Sequence, residues 1–224
     1  GDYRIEPGGP YLAATFGTLK ALVGEDLLAA DAQATWTAGG YYAAAHPTLA
    51  ATRFLVLNDV LWSRKYDDAC GSGGDAAGEA MLDWLRERLE AAAAAGERVW
   101  LVYHVPAGFD AYSTAHANVP DGAPCAARTV PFWRARYREA FDALMARHGT
   151  IVTTAFSGHI HRDSWRLFPG ADGTPTTFAS IVPAISPIYG DAPAYQAFAY
   201  DTATGAIRDK VTYAVTNLSA AARS

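Results

Sequence analysis

Residues 99–108 read VWLVYHVPAG, and residues 153–161 read TTAFSGHIH. In each, an apolar run breaks near a histidine, with Pro or Gly close by. The run over residues 99–103 has no polar alternation, so it predicts a strand buried on both faces, as in a parallel sheet covered by helices. Residues 150–156 predict another strand, and Gly158-His159-Ile160-His161 is the turn after it. Working outward, residues 53–57 (RFLVL) predict a third buried strand, with Asn58 and Asp59 at its end. Two helices lie between these strands. One covers residues 79–95, with Leu82, Leu85 and Leu89 as its buried stripe and Gly96 as its stop. The other covers residues 130–148, with Pro131 in its first turn and Phe132, Tyr137, Phe141 and Leu144 on its core side. Strand–helix–strand–helix–strand is an α/β arrangement.

Beyond this centre, residues 10–22 predict a helix and residues 41–45 a strand. After Arg162 the pattern changes to short strands at 163–168, 176–182, 195–201 and 207–213. Asp201-Thr-Ala-Thr-Gly205 reads as a hairpin turn. Two long polar loops, 58–78 and 107–129, interrupt the α/β part, and loops of that length are often functional. No internal repeat or linker divides the chain, so residues 1–224 are expected to form one domain.

Composition narrows the function classes. The 224 residues are 50% hydrophobic and 18% charged, which excludes a disordered chain. The net charge is −5 and no basic stripe exists, which argues against binding through a nucleic-acid backbone. The longest unbroken small apolar run, Ala91 to Ala95, is far short of the ~20 residues of a membrane span. Two cysteines, Cys70 and Cys125, lie in loop-like stretches; on count alone they are either free thiols or a disulfide.

The histidines carry the chemistry. There are six, and three of them, His104, His159 and His161, fall at the tips of two buried strands. Consecutive strand–helix–strand units bring such tips together, where α/β sheets bind ligands. Three imidazoles there fit a shell for zinc, iron or manganese. Asn58 and Asp59, at a third tip, are candidates to touch substrate or orient a ligand; alternatively they start a turn. His46, His116 and His148 lack that placement. Trp62, Tyr66, Phe109, Tyr112 and Tyr189 lie in loops around the expected site, as substrate contacts or as loop anchors.

Four segments carry a resemblance: RFLVLNDVLWSRKYDDAC (53–70), DWLRERLEAAAAAGERVWLVYHVPAG (83–108), FSGHIHRDSWRLF (156–168) and ISPIYGDAPAYQAFAYD (185–201). Together they resemble the second half of the calcineurin-like metallophosphoesterases, and within them the acid sphingomyelinase-like phosphodiesterase branch. The resemblance implies an α/β/β/α sandwich whose N-terminal half is absent from this chain. It implies two divalent metal ions, zinc first and iron or manganese as alternatives, with His104 and His159 on one metal and His161 on the other. It implies hydrolysis of a phosphoester, lipid or nucleotide, by a metal-activated hydroxide. It pairs Cys70 with Cys125, and with that disulfide comes a secreted, periplasmic or lysosome-like location.

The family's earlier motifs, Asp-x-His, Gly-Asp and Asn-His, have no counterpart here, and the chain begins at Gly1. The general acid is therefore expected upstream of Gly1, with His116 the candidate inside the chain. Physics points the same way: two divalent ions ~3.5–4 Å apart need anionic ligands, and three neutral imidazoles supply none. Asp163 is expected to run outward on the next strand. A complementary N-terminal fragment or upstream segment is thus an expected partner. The alternatives are a secreted phosphoesterase-like binding module without activity, or a mononuclear zinc hydrolase.

Overall fold

Six strands form the central sheet of the computed structural model, which describes residues 3–67, 74–117, 119–120 and 122–217. They are β1 (Tyr42–Ala45), β2 (Thr52–Val56), β3 (Arg98–Val102), β4 (Val152–Ser157), β5 (Ser164–Pro169) and β6 (Pro175–Ile181). Their order is β1-β2-β3-β4-β6-β5. β2, β3, β4 and β6 run parallel, and β1 and β5 close the edges antiparallel. Two further strands, β7 (Ala194–Tyr200) and β8 (Ile207–Ala214), form a separate hairpin. The helices are α1 (Pro10–Val23), α2 (Ala32–Gly39), α3 (Gly74–Ala95), α4 (Ala111–Ala115), α5 (Cys125–Arg128) and α6 (Ala135–His148).

β3 is apolar from Val99 to Val102, and both of its faces are covered. On one face Val99, Leu101, Val152 and Ala155 meet Met81, Leu85 and Leu89 of α3 and Tyr137, Phe141 and Met145 of α6. Each large side chain buried there contributes roughly 1.5–3 kcal/mol of transfer free energy. Alternate residues face the other way and meet the hairpin. Trp100 packs edge-on against Tyr200 at 5.3 Å between ring centroids, and Phe156 against Phe198 at 5.0 Å. The Trp100 indole N–H donates to the Gly205 carbonyl at 3.0 Å, which pins the hairpin turn to the sheet. That turn is closed as expected, by Gly205 N–H on the Asp201 carbonyl at 2.8 Å, with Gly205 at φ 68°. The result is a mixed α/β fold with a parallel-rich central sheet, consistent with a metallophosphoesterase-like architecture.

Two boundaries differ from the sequence expectation. The helix expected from residue 130 starts at Ala135. Residues before it are extended: Phe132 N–H bonds the Gly108 carbonyl, and Arg64 N–H bonds the Phe132 carbonyl, both at 3.0 Å. Pro131 therefore sits in a bridging segment, whose φ it suits equally well. The helix expected from residue 79 begins at Gly74, with Asp75 in its first turn, where an anion favours the helix dipole. α2 was not anticipated, because its eight residues carry no clear apolar period. The expected Cys70–Cys125 pairing lies outside the described residues.

Candidate active site

The parallel neighbours β2, β3 and β4 end side by side, so their C-terminal tips deliver Asn58–Asp59, His104 and Gly158–His159 to one edge of the sheet. The Gly158 N–H donates to the His104 carbonyl at 2.9 Å, and this locks the two histidine-bearing tips together. His159 Nδ1 lies 3.3 Å from His104 Nε2. Both His159 and His161 are in the left-handed region, at φ 69° and 59°. Non-glycine residues there carry backbone strain, which concentrates at functional sites. The glycine of the motif is not the residue that needs positive φ.

His159 is held on three sides. The Tyr3 hydroxyl is 3.3 Å from its Nε2, the Phe132 ring stands edge-on at 5.4 Å, and His104 closes the third side. Burial, then the neighbouring His104 and Lys65 charges, push its pKa down to about 4 against the pull of Asp110. The ring is therefore neutral near pH 7 and keeps a nitrogen lone pair.

Asp59 has a different place from the one expected. Its carboxylate is fully buried and accepts three hydrogen bonds: His104 N–H at 2.9 Å, Val105 N–H at 2.8 Å and the Trp133 indole N–H at 3.2 Å. It therefore does not touch substrate; it fixes the backbone from which His104 projects. Burial pushes its pKa up to about 7, against the downward pull of those hydrogen bonds. Asn58 also points inward, its Nδ2 donating to the Gly39 carbonyl at 2.9 Å, so it ties β2 to the end of α2.

The other expected site residues divide. His161 lies against Tyr189, with ring centroids 4.9 Å apart, and its Nδ1 is buried without a hydrogen-bond partner. Tyr189 arrives on the loop after β6, the fourth parallel strand. His116 caps the end of α4, its Nδ1 2.8 Å from the Tyr112 carbonyl and its ring on the Tyr112 ring. Trp62 and Tyr66 are buried loop anchors rather than substrate contacts; Phe109, Tyr112 and Tyr189 are exposed. Asp163 runs outward as expected and bonds Lys210 and Thr212 of β8.

A cleft of about 190 Å³ opens beside His159, lined among others by Tyr3, Arg64, Lys65, Asp110 and Phe132. Sequence reading missed it. Tyr3 and His159 are 156 residues apart, and no local pattern announces that contact.

The donor set fits a metal in part. Two nitrogens on one tetrahedral zinc, with bonds of about 2.0–2.1 Å, lie about 3.3 Å apart, and the His104–His159 separation is 3.3 Å. The Tyr3 hydroxyl on the far nitrogen of His159 is the outer partner that ligating imidazoles usually have. Among the described residues, however, no group of three or more His, Cys, Asp and Glu side chains is disposed to hold a metal ion.

The fold is consistent with what sequence comparison finds. No protein-family model matches the chain. Over most of its length it is similar to curated phosphodiesterases of the acid sphingomyelinase-like group. Human acid sphingomyelinase-like phosphodiesterase 3b is 28% identical over 172 residues, covering 73% of this chain and 34% of the relative. Sphingomyelinase phosphodiesterase D of Dictyostelium discoideum is 27% identical over 163 residues, covering 71% and 33%. Mouse cyclic GMP-AMP phosphodiesterase SMPDL3A is 24% identical over 225 residues, covering 95% and 45%. The chain thus spans between a third and a half of the length of these relatives.

Proposed function

We propose that this chain carries the histidine-bearing part of a metal-dependent phosphodiesterase. The observation that carries the reading is the pair of imidazole nitrogens, His104 Nε2 and His159 Nδ1, 3.3 Å apart at the tips of adjacent parallel strands. His104 and His159 would hold one divalent metal, zinc first and iron or manganese as alternatives. His161, with its unpartnered Nδ1, would serve a second. A bound metal supplies Lewis-acid polarisation of a phosphoryl oxygen and a hydroxide at neutral pH.

The chain's own residues prepare that chemistry. Asp59 holds the His104 backbone in place. With the Tyr3 hydroxyl accepting the Nε2–H of His159, Nδ1 would keep the lone pair that a metal needs. Tyr189 sets the orientation of the His161 ring. The carboxylates that two metals require, and the acid that protonates the leaving oxygen, would come from a complementary or upstream segment of the same enzyme. The resemblance also carries a secreted, periplasmic or lysosome-like location, which depends on Cys70 and Cys125. Among the described residues no helix is long and apolar enough to cross a membrane.

The test is metal content by elemental analysis, with hydrolysis of bis(p-nitrophenyl) phosphate measured on the same zinc-dialysed sample. At least one zinc per chain, lost in His159→Ala, is the expected result for this chain, with hydrolysis that chelation abolishes expected once the upstream segment is supplied. One zinc without hydrolysis in the presence of that segment favours a metal-binding module, and no zinc overturns the reading.

A further inference from the structure

The loop between β6 and β7, residues 182–193, passes over His161. Its feet are fixed by backbone bonds. Val182 N–H donates to the Ser157 carbonyl at 2.8 Å, Ala194 N–H to the Ala184 carbonyl at 2.9 Å, and Val215 N–H to the Pro193 carbonyl at 2.9 Å. The crown of the loop, residues 185–192, has no buried side chain, and Ile185, Ile188 and Tyr189 are exposed. Within it, Gly190 at φ 80° closes a turn through its N–H on the Pro187 carbonyl at 2.9 Å. Among the described residues, two ionic, hydrogen-bonding or ring contacts of side chains tie this crown to the rest of the molecule. Arg162 Nε donates to both Asp191 carboxylate oxygens, at 3.2 and 3.3 Å. The Tyr189 ring lies against the His161 ring, with centroids 4.9 Å apart, and His161 Nδ1 is buried. Both ties land on consecutive residues, His161 and Arg162.

We propose that this loop is a strap over His161, latched by the Arg162–Asp191 ion pair, and that release of the latch carries Tyr189 away and opens the His161 ring to solvent. The proposal names what controls access to His161, and it rests on the reading above only where the incoming group is a metal. A segment with no buried apolar anchor opens at low free-energy cost. With its feet tied at Val182, Ala184 and Ala194, the crown can hinge outward while the sheet stays paired. The Arg162 side chain is 69% exposed, and an ion pair in that setting is weak and screened by salt. Such a pair holds the strap without making it permanent. Asp191 is two residues from Tyr189, so freeing Asp191 loosens the ring contact as well, and the two ties release together.

The test is NMR of the full chain with carbon-13-labelled histidine, at about pH 8.5 to keep imidazole protonation out of the reading. The His161 ring signal is identified by its loss in His161→Gln. At low salt the Tyr189 ring current is expected to displace that signal in the wild type, and Tyr189→Leu, the open reference, should return it to the free-histidine position. Asp191→Asn should move it at least halfway to the open reference, and about 0.5 M NaCl should move the wild type along the same line. Exchanging the charges, Arg162→Asp with Asp191→Arg, should restore the wild-type position, which a merely structural role for either residue would not do. Melting temperatures check that the variants fold. A signal that Tyr189→Leu does not move, that stays in place in both Asp191→Asn and salt, or that the charge exchange fails to restore would overturn the latch. No metal or substrate enters this measurement. Absence of zinc binding would therefore fail the reading above and leave the strap standing, and an unmoved signal would fail the strap alone.

Discussion

The buried Asp59 carboxylate accepts the backbone N–H of His104 at 2.9 Å, joining the tip of one parallel strand to the tip of the next across 45 residues of sequence. With Val105 N–H and the Trp133 indole also directed at it, Asp59 fixes where His104 can project. Asp59→Asn should therefore be costly despite its matched size. Whichever way the amide turns, its NH2 faces at least one N–H donor. We expect a loss of about 2–3 kcal/mol in urea unfolding, together with weaker zinc binding. A loss under ~0.5 kcal/mol would show that Asp59 does not organise the tip.

Tyr3→Phe separates support of the metal ligand from support of the fold. It removes only the hydroxyl that lies 3.3 Å from His159 Nε2. Zinc affinity should fall about 10–100-fold, as for other outer-shell partners, while stability changes by less than ~1 kcal/mol. Competition with a chromophoric chelator reads the first quantity, and thermal unfolding the second.

Backbone strain at His161 predicts an unusual ranking. At φ 59° an L side chain is disfavoured, and glycine is not. His161→Gly should therefore be more stable than His161→Ala, by about 1 kcal/mol. Ordinary loop behaviour, with alanine the more stable, would contradict the left-handed turn.

Away from the site, Arg53 holds Glu97 through two hydrogen bonds, at 2.5 and 2.7 Å, and keeps its carboxyl below the usual range. A depressed carboxyl stabilises the fold above its unfolded pKa, and the benefit is lost as pH falls through the folded value. Both partners are partly solvated, so Glu97→Gln should cost only about 0.5–1 kcal/mol at pH 7. The difference between variant and wild type should shrink and then vanish as pH falls through the lowered carboxyl pKa. A gap that persists there would assign the effect to packing rather than charge.

Trp62 tests the aromatic base beneath the site. It is fully buried against Trp133, Tyr137 and Phe141, and its indole N–H bonds the Gly78 carbonyl at 2.9 Å. Trp62→Ala should cost about 3–5 kcal/mol in denaturant unfolding. A small loss would restore it as a substrate contact.

The sequence by itself determined the parallel centre of the sheet, β2, β3 and β4, but not that β6 joins it as a fourth parallel strand where a β meander was expected. Continuous apolar runs in and after β2 (Phe54–Leu57) and β3 (Val99–Tyr103) predict burial on both faces, and the two leucine- and aromatic-striped helices that separate β2, β3 and β4 favour parallel neighbours. From that follows the clustering of His104 and His159, since parallel strands end on the same side. Tertiary structure decided the rest. Residues 130–134 look like a helix start, with Pro131 in place, but long-range backbone bonds to Gly108, Arg64 and Trp62 hold them extended. Asp59 looks like a turn residue or a ligand, and only the convergence of three donors from distant segments makes it a buried brace. The cleft of Tyr3, Lys65 and Phe132 has no local signature at all. Periodicity reports which face of an element is buried, because burial repeats with the element; which distant side chains meet at its end depends on how the loops close, and no spacing records that.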